Sequence, residues 1–399
     1  MNRLQPLSGE LEHEFPLKIV HVIFTLNPGG LENGVVNIAN QIDPKKFSTS
    51  IICLDDSGGF AKRLAPDVVV VALERKEGFR LSTAFHLGRA LKNHRADLIH
   101  THNLGPLLYS VLAKAMLLTR APIIHGEHGT LHGDQLSFWK IGLRKVCFLL
   151  CHRIHTVSES LRQHLIALHL PSRKLCAIPN GVDCEKFYPP KCRNEVKRNK
   201  GFSEDSFIIG IVGRFIPSKK HLLLLEALDL LSRAPEWKQV NLLILGDKGE
   251  AKQQILEAIE KHPAKDRIHW KGHVEDPFEW YQIMDLLACP SSEEGLSNAL
   301  LESMASGVPC LAHPACGANE VITSGKDGIL KDISDPEIFA KTLEAILSDV
   351  KALTTMGENA RETIVTRHSI SSMISKYEEL YQSSITMTEC PRMESNVLH

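Results

Sequence analysis

The sequence predicts an α/β fold made of doubly wound parallel sheets in two successive domains, on three observations. Short apolar runs of strand length alternate with amphipathic helical periods from Lys18 to Gln382. Several of these runs end in glycine-bearing turns that open onto helix starts, as nucleotide-binding sheets require. The alternation breaks once, at 189–206 (PPKCRNEVKRNKGFSEDS), where periodicity is lost and charge is dense. That stretch reads as a linker, and a chain of 399 residues is long enough for a core on either side of it. The expected domains are 17–190 and 207–367.

In the first half, Lys18 to Leu26 (KIVHVIFTL) reads as a buried parallel strand and Asn27-Pro28-Gly29-Gly30 as the turn into a helix from Leu31 to Gln41. Paired glycines there let backbone approach a ligand, although the full Gly-x-Gly-x-x-Gly pattern is absent. Further strands are expected near 48–54, 68–72, 96–101, 122–127, 153–157 and 174–178. Histidines crowd two strand ends, His100 and His102 at one and His125, His128 and His132 at the other. At the C-terminal edge of a parallel sheet such residues face a ligand crevice. Hydrogen-bonded turn histidines and a zinc site are the other readings, the latter without the regular helical spacing of known sites. Residues 136–153 (LSFWKIGLRKVCFLLCHR) are amphipathic, with Phe138 and Trp139 beside Lys140, Arg144, Lys145 and Arg153. Such a helix either buries its apolar face on its own sheet or rests on an anionic membrane surface.

In the second half, Ile208 to Val212 restarts the alternation and Gly213-Arg214-Phe215-Ile216-Pro217-Ser218-Lys219 leads into a helix from His221 to Ser232. A planar guanidinium, an ammonium and a helix start together suit a diphosphate. Strands are expected at 240–245 and 268–272, and helices at 336–349, 351–366 and 370–383, with 385–399 disordered. Between them, 289–311 (CPSSEEGLSNALLESMASGVPCL) reads as strand end, Pro290–Gly295 loop, and a helix from Asn298 to Ala305 closed by Gly307 and Pro309. Backbone N–H groups and the positive end of the helix dipole collect at that helix start. Glu294 lies before the helix and Glu302 about two turns up it, so the two carboxylates can hold separate parts of an extended ligand through its hydroxyls.

Glu294-Gly295 with Glu302, followed by Met304-Ala305-Ser306-Gly307-Val308-Pro309, resembles the Glu-x7-Glu signature of the retaining family-four glycosyltransferases. Gly-Arg-x-x-x-x-Lys at Gly213–Lys219 resembles the family's pyrophosphate clamp, with Lys220 where glycine is usual. Gly29-Gly30-Leu31-Glu32 is similar to its Gly-Gly-x-Glu loop. Ser158-Glu159-Ser160 with Pro179-Asn180-Gly181-Val182-Asp183 is similar to the closing passage of its first domain, and Ala315 to Val321 to its Gly-Gly-x-x-Glu turn, with Cys316 in place of a glycine. The resemblance covers about Lys18 to Gln382.

It implies the GT-B fold, two Rossmann-like domains facing each other across a cleft, with the helix at 370–383 packed back on the first. It implies a nucleotide-diphosphate-sugar donor, held by Gly30, Arg214, Lys219, Val274, Gly295, Leu296, Ser297 and Glu302, with the diphosphate on Arg214 and Lys219 and the ribose on Glu302. His128 and Glu294 are the expected catalytic residues, and Gly29, Glu32 and His102 the acceptor side. Retention at the anomeric carbon and a glycan or lipid-linked acceptor follow from the same resemblance, as does a place in exopolysaccharide or cell-envelope synthesis. A sugar-nucleotide epimerase or a non-catalytic nucleotide-sugar-binding protein of the same fold are the alternatives.

Composition narrows the rest. A net charge of −1 gives no global pull toward nucleic acid or anionic lipid. The ten cysteines form no Cys-x-x-Cys pair and fall mostly in apolar stretches, as reduced core residues of a cytoplasmic protein do. The first 15 residues lack the pattern of a signal peptide, and no apolar run is long enough to span a bilayer, so the expected place is the cytoplasm, free or at the inner face of the cytoplasmic membrane. No Asp-x-Asp occurs, so no metal or other cofactor is expected at the diphosphate.

Overall fold

A computed structural model of the chain describes residues 16–389 apart from 118, 234–236, 238 and 316, so Cys316 and residues 390–399 of the expected disordered tail lie outside the described residues. Strands β1 (Leu17–Ile23), β2 (Phe47–Cys53), β3 (Val69–Ala72), β4 (Leu98–His102), β5 (Ile123–Glu127), β6 (Arg153–Thr156) and β7 (Leu175–Ala177) form one sheet in the order β3-β2-β1-β4-β5-β6-β7. Helices α1 (Gly30–Gln41), α2 (Leu81–Asn93), α3 (Leu104–Leu117), α4 (Phe138–Leu150) and α5 (Glu159–Ala167) connect its strands. β1 lies in step on β2, Leu17 on Phe47 through Ile23 on Cys53, and on β4, with His21 opposite His100. Residues 19–23 are all buried, as a central parallel strand covered on both faces demands.

After α6 (Arg193–Asn199), a second sheet runs β10-β9-β8-β11-β12-β13, from β8 (Phe207–Val212), β9 (Val240–Leu245), β10 (Ile268–Trp270), β11 (Leu286–Cys289), β12 (Cys310–Ala312) and β13 (Ile329–Leu330). Its helices are α7 (His221–Leu231), α8 (Lys252–Lys261), α9 (Phe278–Ile283), α10 (Asn298–Ala305), α11 (Ala318–Val321), α12 (Pro336–Ser348) and α13 (Val350–Arg367), and α14 (Ile370–Glu389) ends the described chain. Phe215, Leu224, Leu228, Leu242, Ile244 and Phe339 are central to its core, each such burial contributing about 1.5–3 kcal/mol. Asp335 caps α12 by accepting from the N–H groups of Glu337 and Ile338, with Pro336 in the first turn where its missing N–H costs nothing.

Strand order reverses between β1 and β4 in one sheet and between β8 and β11 in the other. In open parallel sheets ligands sit beyond the strand C-termini at such a switch point. The segments that follow β8 and β11 are those of Arg214–Lys219 and of Glu294.

The described chain gathers into two compact units: residues 16–126 with Arg144–Ile154 and 377–389, and Glu127–Leu143 with His155–Lys376. In the first, Tyr381 of α14 is fully buried, with its hydroxyl 2.8 Å from Nδ1 of His100 and its ring against Phe47.

Two expectations are corrected. The stretch at 189–206 is not a structureless linker. Within it α6 forms because Asp285 supplies what its charges need: the buried Lys197 ammonium sits 2.8 Å from Asp285 Oδ2, which also accepts from the N–H of Ile208 at 2.8 Å. Residues 385–389 are helical, as the end of α14. Of the two readings of 136–153, neither alone describes α4. Arg144, Cys147 and Phe148 are buried, yet Phe138 and Trp139 are each 82 % exposed, and Val146, Leu149 and Leu150 are exposed as well.

Candidate active site

The loop after β8 is pinned by its apolar residue. Phe215 is buried, its N–H donates to Lys248 O at 3.0 Å, and its carbonyl accepts from Ala251 N–H at 3.0 Å. That anchoring leaves Arg214 exposed on one side and carries the chain through a single turn, Pro217–Lys219, into α7. Lys220 makes the joint with φ 58° and ψ 35°, the left-handed conformation that glycine would take without strain. A lysine there costs about 1–2 kcal/mol, and the turn is kept.

Lys219 reaches the loop after β11 and forms an ion pair with Glu294, both side chains being 20 % exposed. The two loops also meet through the backbone, Ser292 N–H donating to Ser218 O at 3.4 Å. The expected diphosphate cation and the expected sugar-facing carboxylate thus neutralise one another. Ser297 caps α10, its hydroxyl oxygen accepting from Leu300 N–H. Leu296 is buried and its carbonyl accepts from the Asn180 side-chain amide at 3.2 Å; the same amide group lies 3.1 Å from Asn298 Oδ1. Gly295 lies against the backbone of His128. Further along α10, Glu302 is half-buried, and Oε2 accepts a hydrogen bond from the Tyr281 hydroxyl at 2.8 Å. Val274 is half-buried two residues beyond Gly272, whose carbonyl accepts from Gly246 N–H at 2.9 Å.

His128 packs edge-on against the buried ring of His155, centroids 5.8 Å apart. Two residues on, the Thr130 hydroxyl donates to Glu294 O at 3.4 Å, and His132 lies 3.5 Å from the Glu293 carboxylate. His128 therefore belongs to the same neighbourhood as Glu294, Gly295 and Lys219. Glu320, on α11, accepts from the N–H groups of Glu159 and Ser160 at 2.7 and 2.5 Å, and so occupies the N-terminus of α5. Sequence reasoning passed over Tyr281, Thr130 and the supporting roles of Asn180 and Glu320. The last two lie inside the passages already noted, whereas Tyr281 looks like any core aromatic.

The other unit holds Gly29, Gly30, Glu32 and His102. Glu32 folds back over Gly29, where a Cβ would stand 2.2 Å from Glu32 Oε2. His102 is buried, its Nε2 3.0 Å from His21 Nδ1 with the two rings 6° from parallel, the arrangement of one N–H···N hydrogen bond. His21, His100 and His102 share one face of the sheet, and each can place a ring nitrogen within 4.8 Å of the others. Among the described residues this is the grouping that could hold a metal. The wider histidine set considered for zinc is not assembled: His125 faces the other way, bonded to Thr101 at 2.9 Å, and His132 sits beside Glu293.

Two doubly wound sheets, with a basic loop and a carboxylate loop meeting at the switch point of one, are the architecture of the GT-B glycosyltransferases. Residues 193–363 match the family described as glycosyl transferases group 1, and residues 28–186 match glycosyltransferase family 4. The chain belongs to the family-four glycosyltransferases and is a sugar-transferring enzyme. It is 25 % identical over 390 residues, 92 % of this chain and 96 % of the relative, to the Escherichia coli UDP-Gal:alpha-D-GlcNAc-diphosphoundecaprenol alpha-1,3-galactosyltransferase. It is 26 % identical over 310 residues, 76 % of this chain and 79 % of the relative, to the N-acetyl-alpha-D-glucosaminyl L-malate synthase of Bacillus anthracis. Among solved structures, Anabaena HepE in complex with UDP superposes with a TM-score of 0.79 at 19 % identity, covering 92 % of this chain and all of that one, a likeness of fold.

Proposed function

We propose that this enzyme transfers a sugar from a uridine-diphosphate-sugar to a lipid-linked glycan acceptor, with retention at the anomeric carbon, in cell-envelope or exopolysaccharide synthesis. The observation that carries the reading is the meeting of Lys219 and Glu294 at the β8–β11 switch point, beside the exposed Arg214 and the start of α10. As the glycosidic bond breaks, negative charge builds on the leaving diphosphate. Lys219, Arg214 and the backbone N–H groups at the α10 start stabilise it in place of a metal. Donor entry moves Lys219 from Glu294 to phosphate and frees the carboxylate to orient sugar hydroxyls, with His128 supporting the reacting end. Glu302 takes the ribose, and Gly295, Leu296, Ser297 and Val274 lend backbone to the donor. Gly29 and Glu32 serve the acceptor. The choice of uridine and of a lipid-linked acceptor is supported by the Escherichia coli relative, which uses UDP-Gal and a diphosphoundecaprenol acceptor, and by the structures solved with UDP and UDP-glucose.

The exposed apolar side chains of α4, flanked by Lys145, support contact with an anionic bilayer surface, where such an acceptor resides. No helix of the described residues is long and apolar enough to cross a membrane.

The test is transfer from UDP-sugars to a diphosphoundecaprenol-linked sugar, with the product anomer assigned by proton NMR, with and without EDTA. An α product from an α donor at undiminished rate in chelator is expected. An inverted product, or activity abolished by EDTA and restored by magnesium, rules the mechanism out.

A further inference from the structure

We infer that Tyr281 is a positioning residue for the donor: its hydroxyl fixes the Glu302 carboxylate in the orientation that receives the nucleotide ribose. The inference rests on the proposed role of Glu302. Tyr281 lies on α9, with no exposure, its backbone N–H held by Pro277 O at 3.0 Å and its ring edge-on to Phe187 at 5.9 Å. Those contacts hold the ring without any help from the hydroxyl, and a phenylalanine would make them equally well. The hydroxyl's hydrogen bond among the described residues is the one to Glu302 Oε2, at 2.8 Å.

A buried hydroxyl must have a partner, and here the partner is a half-buried carboxylate on another helix, so the bond is charge-assisted. Burial, then the Glu302 charge, push the Tyr281 phenol well above its usual range, so it stays a neutral donor at any working pH. An ionised carboxylate only accepts, and one oxygen engaged by a phenol sets the plane of the group. Backbone support comes from the same helix, with the Ser306 hydroxyl donating to Glu302 O at 2.9 Å. The backbone of Glu302 is thus held in its helix and its carboxylate by the tyrosine, which is how a ligand-facing group is kept from paying orientation entropy when its ligand arrives.

The experiment compares Tyr281→Phe, Glu302→Gln and the double variant by titration with uridine diphosphate and by donor kinetics. Tyr281→Phe is expected to weaken uridine diphosphate about tenfold and raise the donor KM similarly, with kcat within about twofold of wild type and an unchanged melting temperature. In the Glu302→Gln background the tyrosine substitution should add less than about twofold, because both changes remove one interaction. If Glu302→Gln weakens binding while Tyr281→Phe does not, or if the two effects multiply, the positioning role is overturned and the ribose role stands. If Glu302→Gln binds as wild type does, the ribose role itself fails and this inference falls with it.

Discussion

Gly295 stands against the backbone of His128: a Cβ built on it would lie 2.6 Å from His128 O and 2.7 Å from Val157 Cγ2. The turn that presents Glu294 and the strand-end segment that presents His128 are therefore packed to contact, and glycine is the residue that lets them close. Gly295→Ala is expected to lose about 1–3 kcal/mol of stability by overpacking and to lower kcat, since Glu294 and His128 are displaced together. Denaturant unfolding beside steady-state kinetics checks it; a fully active, equally stable alanine variant would show that the contact yields without consequence.

For the clamp, Arg214→Ala and Lys219→Ala should each weaken uridine diphosphate by about 1.5–3 kcal/mol with the fold intact. The two should differ in one respect. Arg214 is exposed, whereas Lys219 also neutralises Glu294, so only Lys219→Ala should be partly rescued, in stability, by Glu294→Gln in the same chain. Calorimetric titration and thermal melts read both quantities, and unchanged affinity in both single variants would remove the assignment.

Stability should fall in mild acid. Burial holds His21 at about 3, His221 at about 4 and His368 at about 4, against an ordinary 6.5, so the folded protein keeps all three neutral. Their contribution is fully present above 6.5 and is lost as pH drops toward 4, because the unfolded chain takes up protons that the native chain refuses. His221 has neither ring nitrogen partnered, and its share at the acid limit is about 3 kcal/mol. Unfolding free energy measured between pH 7.5 and 4.5 should decline with a slope that His221→Leu reduces, and equal slopes for both proteins would contradict the burial argument.

The apolar face of α4 makes a separate prediction. Replacing Trp139 and Leu149 by serine should abolish co-sedimentation with vesicles rich in phosphatidylglycerol and leave transfer to a water-soluble acceptor analogue unchanged, as both side chains are exposed. Equal sedimentation of the variant, or none by the wild type, would refute membrane contact through this helix.

Legibility in the sequence followed the range of the interactions. The parallel sheets, the Arg214–Lys219 loop and the Glu294–Glu302 pair were readable because strand, turn and helix signals are local. The helix at 193–199 was not, because what settles its charge is Asp285, 88 residues from Lys197. Tyr281 carries no signal in its own neighbourhood, since only folding shows that a carboxylate waits at its hydroxyl. The period of α4 could not say which apolar residues face the sheet, for Cys147 and Phe148 turn inward while Val146 and Leu150 do not. Lys220 shows the opposite limit: the departure from glycine is visible, but only the backbone shows that lysine adopts glycine's conformation.

Lys219 and Glu294 are 75 residues apart in the chain, though the strands that bear them are neighbours. No peptide excised around either one carries the pair, and closing so long a loop is what makes contacts of this kind late and slow to form during folding. Nucleotide affinity should therefore emerge in a single step with the closing of β11 onto β8 during refolding, after the helical signal has largely recovered.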